Sequence, residues 1–297
     1  MNRKLLVLLG FVLLASTVFD ICAHTDTNTK KANANNKESQ SKSIYETGEL
    51  YLPSEDQNAD VDKTLNKALK NNKLALIVMG ANWCHDSRSL ASKLYQPDVK
   101  EIIDANYELV FVDVGYMTNI KNIITRFGMP VIYATPTVLI VDPKSNQLIN
   151  ADNMHIWRSA ATLSILQTIE YFTEVAKNKQ TRLAALSHLE GVDMAKLKML
   201  NLSINDFEQQ QADRIYKAYT IVGPLLKELK ETGKAKDFEQ NWGTVAQHRY
   251  QLTDDLTKLR KQAVEIASQK SSRQKLAFPK YQAFKWESPT MAKTTSE

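Results

Sequence analysis

Apolar residues are spread unevenly along this chain of 297 residues, and their spacing changes character several times. A basic start runs into an apolar stretch from Leu5 to Phe19. That stretch is shorter than the ~20 residues a membrane-spanning helix needs. A basic flank, a short apolar core and small residues after it predict an export signal over residues 1–23. The expected destination lies across the inner membrane, in the periplasm. Residues 24–50 are polar and nearly free of large apolar groups, which predicts a flexible linker.

From Leu50 onward the periods become readable. Val61, Leu65 and Leu69 at i, i+4 and i+8 predict a helix, with Asp60 as its N-cap. "LALIVMG" (74–80) is a continuous apolar run of strand length, expected as a buried central strand. A helix is expected from Cys84 to Leu94 and a second over 97–106. Residues 107–115 are β-rich, and 118–128 read as a helix closed by Gly128. Two strands around the Asp142-Pro143-Lys144 turn are expected within 135–150. A helix over 159–178 would put Ile165, Ile169, Phe172 and Ala176 on one face. Alternating helices and strands followed by a hairpin predict an α/β fold, a mixed sheet covered by helices on both faces.

Beyond residue 178 the pattern is almost wholly helical. Ala212, Ile215, Tyr219, Val222, Leu226 and Leu229 form one stripe, which Pro224 is expected to kink or split. Val245, Leu252, Leu256, Leu259, Ala263 and Ile266 form another. With a link near Gly233, residues 179–271 predict an all-α extension built as an antiparallel helical hairpin. The tail, 272–297, interleaves Lys275, Lys280 and Lys285 with Phe278, Tyr281, Phe284 and Trp286. It is expected to dock back onto the protein, with a partner or a membrane surface as the rival.

Composition narrows the chemistry. The net charge is +5 with 24% charged residues, ordinary for a globular protein. No basic stripe accompanies the charge, so no nucleic-acid partner is predicted. The five histidines show no paired ligand spacing, so no metal is predicted. Nine scattered glycines form no phosphate-cradling loop, and no cofactor is predicted. Of the two cysteines, Cys22 is expected to leave with the signal, and no internal disulfide could then form. Lipid anchoring at Cys22 is the rival reading, and the preceding Phe19, Asp20 and Ile21 argue against it.

The remaining thiol sits in "GANWCHDSRSL" (80–90). Trp83 precedes Cys84, and Ser87 stands three positions beyond it. A strand, then Trp-Cys at a helix start, then "ATPT" (134–137) leading a strand resembles the thioredoxin superfamily over residues 51–178. The resemblance implies a cis Pro136 facing Cys84, with Trp83, Thr135 and Pro136 receiving a client strand. Client protein thiols or disulfides would be the partners, released by an external thiol reductant. The sequence departs from the family in two coordinated places. Ser87 replaces the resolving cysteine, and Val78 stands where the family carries a buried acid. A monothiol site that forms mixed disulfides through Cys84 is therefore expected.

A helix N-terminus favours the thiolate, the reactive form of cysteine, and Cys84 has that position. His85 would add positive charge, Asp86 would oppose it, and the Ser87 hydroxyl is expected to donate a hydrogen bond to the sulfur. A Cys-His-Asp hydrolase triad is excluded, because adjacent residues on one helix point in different directions. The competing class is a non-catalytic binding or scaffold module with a degenerate site.

Overall fold

The computed structural model describes residues 50–118, 121–269 and 274–287. The expected signal, Cys22, nearly all of the linker and the end of the tail lie outside them.

The first helix, α1 (Gln57–Lys70), begins one turn earlier than its apolar period suggests. Asp56, not Asp60, is the N-cap, and its carboxylate accepts from the Ala59 N–H at 3.0 Å. The inward face is Val61, Thr64, Leu65 and Ala68. Leu69 is 45% exposed, because the 3.6-residue period carries Ala68 rather than Leu69 to the sheet.

Strand β1 (Leu74–Gly80) is buried along its whole length, as its unbroken apolar run requires. Helices α2 (His85–Leu94) and α3 (Pro97–Asn106) follow, then β2 (Tyr107–Asp113), parallel to β1. Only Lys121–Thr125 of the expected helix over 118–128 is described as α-helical (α4). Strands β3 (Thr137–Asp142) and β4 (Gln147–Leu148) complete a mixed sheet of order β2-β1-β3-β4, with β3 antiparallel to both neighbours.

The expected helix over 159–178 is broken in two. A 3-10 segment spans Met154–Thr162, and α5 (Ile165–Lys177) restarts at Ser164. Ser164 and Gln167 form a reciprocal capping box, so the sequence encodes a helix start where the period alone suggests continuity. The buried face is Thr168, Tyr171, Phe172 and Val175.

Alternation along β1 separates two cores. Leu74, Leu76 and Val78 pack with α2, α3 and α5. Ala75, Ile77 and Met79 join a cluster that takes in α1, α4 and the two long C-terminal helices, α7 (Met194–Thr232) and α8 (Phe238–Ser268). A shorter helix, α6 (Lys179–Ser187), precedes them. Gly233 in the left-handed conformation ends α7 and lets the chain turn into α8.

Pro224 does not split α7, which runs through it as one helix. Tyr219 and Val222 before it, and Leu226 after it, are all buried, so packing holds the backbone on both sides of the missing N–H. Gly223 has a separate reason to be glycine: a Cβ there would lie 2.4 Å from the Tyr116 carbonyl oxygen.

The tail docks as expected over its described residues. Phe284 is buried, Tyr281 donates to Asp255 at 3.0 Å, and Arg214 holds Glu287 at 2.7 Å. Under it lies His248, edge-on to Tyr281 and Phe284, with Nε2 unpartnered. Burial, assisted by nearby Arg214 and opposed by Glu287, pushes the His248 pKa down from 6.5 to about 4.

Unfolded chains therefore take up this proton first, and stability is lost as pH falls from 6.5 towards 4. Between pH 7.5 and 5 the loss from this group is about 2 kcal/mol. Urea titrations should show that loss in the wild type and a slope flatter by that amount in His248→Gln.

Candidate functional site

Strand β1 ends at Gly80, and β3 begins beside it, with Met79 opposite Thr137. This register brings the turn after β1 against the loop before β3. Cys84 is the N-cap of α2, its own N–H bonded to the Ala81 carbonyl at 3.0 Å. The Cys84 thiol donates to the Thr135 carbonyl at 3.2 Å, and the Thr135 hydroxyl lies 3.2 Å from the sulfur as donor. The Thr135–Pro136 peptide is cis. Cys84, Thr135 and Pro136 are thus brought together, and Cys84 is partly exposed.

Trp83 is held from both sides. Its Nε1–H donates to the Gly115 carbonyl at 2.8 Å, and its ring meets Trp242 of α8 edge-on at 6.0 Å. Gly115 is steadied by its N–H to Asp113, whose carboxyl burial pushes upward in pKa. His85 is exposed, and no hydrogen bond joins it to the thiol. Asp86 turns away from the sulfur to accept from the Ala161 N–H at 2.8 Å, pinning the 3-10 segment to α2.

Ser87 departs from expectation. It is fully buried, and its hydroxyl has no partner, so it does not donate to Cys84. Helical geometry carries its side chain inward, toward Gly80 and Tyr51. A Cβ on Gly80 would lie 2.6 Å from both the Ser87 hydroxyl and the Tyr51 ring, which leaves glycine as the residue that fits. Tyr51 donates to the Ser87 carbonyl at 3.1 Å, and burial pushes its hydroxyl pKa up, keeping it a donor. Val78 is likewise fully buried behind the site. Thr135, not Ser87, is the hydroxyl that meets the sulfur.

The C-terminal hairpin supplies what sequence reading missed. A groove of 260 Å³ runs from Trp83, Cys84 and Thr135 to Phe238, Trp242 and Arg249 of α8, with Leu226 and Lys230 of α7. Trp242 and Arg249 are seven residues apart, two helical turns on one face. That spacing was the available signal, but the leucine stripe of α8 overshadowed it.

The hairpin also grips the loop before Pro136. Tyr219 donates to the Ile132 carbonyl at 2.6 Å. Tyr133 donates to Glu208 at 2.5 Å, and Arg260 closes on the same carboxylate at 2.6 Å.

The mixed sheet, the Trp-Cys turn capping α2 and the cis Thr135–Pro136 loop against the thiol define a thioredoxin-like domain carrying a helical C-terminal region. Residues 56–143 match the model of a family described as thioredoxin-like. Among solved structures, a match is a disulphide isomerase from Xylella fastidiosa Temecula1. It is 24% identical, covering 42% of this chain and 98% of that chain, with a TM-score of 0.37. No curated protein matches the chain.

Tyr219→Phe leaves the buried Ile132 carbonyl without that donor, at a cost of about 1–3 kcal/mol. The expected outcome is a lower urea midpoint at unchanged slope, together with an altered alkylation rate at Cys84.

Proposed function

We propose that the protein exchanges thiols and disulfides as a monothiol, with Cys84 as the nucleophile. The observation that carries this reading is the placement of a partly exposed sulfur at a helix N-terminus, against Thr135, on an open groove. The Cys84 thiolate attacks one sulfur of a client disulfide R–S–S–R′. A Cys84–S–S–R bond forms, and R′ leaves as a thiolate. An external thiolate then attacks the R sulfur, forms a new disulfide with R, and frees Cys84. Electrons balance over the two steps, and the protein ends as it began.

The external thiol is required because no second thiol stands at the site among the described residues. Cys84 is the one cysteine among the described residues, and the Ser87 oxygen cannot form the displacing bond. Trp83 and Thr135 shape the rim on which the client lies, with Pro136 next to it, and His85 stands at the mouth. The thioredoxin-like match is in keeping with protein disulfides as clients. Export to the periplasm, where disulfides persist, belongs to the same reading.

Intact-mass spectrometry after incubation with a peptide disulfide tests it. One peptide adduct per chain is expected, reversed by added thiol and absent in Cys84→Ala. Absence of an adduct in the wild type would leave the binding-module reading in its place.

A further inference from the structure

Arg249 is 2% exposed, the most buried of the described arginines and lysines. The buried carboxylates all have cations: Glu108 has Lys67 and Lys73, Asp142 has Lys179, and Glu208 has Arg260. Arg249 has no carboxylate partner among the described residues. Its Nη1–H donates to the Tyr219 hydroxyl at 3.2 Å, and its Nε–H is buried without an acceptor. Around it stand Trp242, Tyr219 and Tyr250, with ring centroids 5.1, 5.6 and 5.9 Å away.

Aromatic faces attract a cation but offer no lone pair to its in-plane N–H groups. A desolvated guanidinium without an anion is costly, and the cost is relieved when an anion arrives. Arg249 lines the same groove as Cys84. Lys230 and His85 line it too, and its one lining carboxylate, Asp86, is engaged with the Ala161 N–H.

We propose that Arg249 is a carboxylate-binding residue of the client groove, receiving an aspartate or glutamate beside the client's cysteine. The identity of that client as a sulfur-bearing polypeptide rests on the exchange reading above; the anion site itself does not. A guanidinium matches a carboxylate in two parallel hydrogen bonds, which gives position as well as attraction. The groove that Arg249 shares with Cys84 is open, with a volume of 260 Å³. The hairpin thus acts as a selector, admitting acidic sequence contexts to the thiol.

Calorimetry on the full-chain Cys84→Ala protein tests this without sulfur chemistry. The probes are a capped peptide Gly-Asp-(S-methyl-Cys)-Asp-Gly and its twin with asparagine for aspartate. The acidic peptide is expected to bind about tenfold more tightly, and the preference should shrink as salt rises. Adding Arg249→Gln should remove it, and adding the exposed-site change Lys230→Gln should reduce it.

If Arg249→Gln no longer unfolds cooperatively, Arg249→Lys replaces it. That variant keeps the charge but loses the planar fork, and should lower the preference. Equal binding of the twins would overturn the proposal. So would a preference untouched by either Arg249 variant, or binding of small dicarboxylate disulfides with none of the peptide. Loss of adduct formation at Cys84 would instead sink the exchange reading and leave the anion site standing.

Discussion

A buried carbonyl in an irregular loop needs a donor that no neighbouring strand or helix provides. For Ile132 that donor is the Tyr219 hydroxyl, 2.6 Å away on a helix that lies 87 positions further along the chain. The loop it secures runs directly into Thr135, whose carbonyl and hydroxyl both meet the Cys84 sulfur. The thiol's surroundings therefore depend on α7, although α7 lies well outside the segment that carries the thioredoxin-like match. Tyr133, Glu208 and Arg260 repeat the connection one residue further along, and Gly223 admits the Tyr116 carbonyl beside it.

These contacts give the C-terminal helices two roles at once. Their apolar stripes complete the core under one face of the sheet, removing surface that a four-stranded sheet with few helices would leave wet. Their ends over the thiol carry Trp242, Arg249 and Lys230, which build the far wall of the groove. Stability and site architecture thus share the same helices. On the proposed exchange reading the chemistry would be correspondingly divided: the sheet domain holds the sulfur, and the hairpin side of the groove presents Arg249 to what approaches it.

Features fixed by a few adjacent residues were legible in the sequence. The unbroken run of β1, the helix start at Cys84, the hairpin of β3 and β4 and the two long C-terminal stripes all follow from local pattern. So did the pairing of Cys84 with Thr135 and Pro136, through resemblance. What was illegible depends on register between distant segments. Ser87 was expected at the sulfur, but one helical step decides between the thiol and the Gly80–Tyr51 pocket, and the helix took the inner side. Pro224 did not split its helix, which is packed on both flanks of the proline. Arg249 stands out only once Tyr219, Trp242 and Tyr250 are seen around it.

The central claim is that the thiol site is shared between the sheet domain and the hairpin. Hydrogen exchange measured before and after a client peptide is disulfide-linked to Cys84 tests it most directly. New protection is predicted in two separate stretches, the turn and first helical turn around Trp83–Ser87 and the facing ends of α7 and α8 around Leu226–Lys230 and Trp242–Tyr250. Protection confined to the sheet domain, with the hairpin exchanging as before, would contradict it.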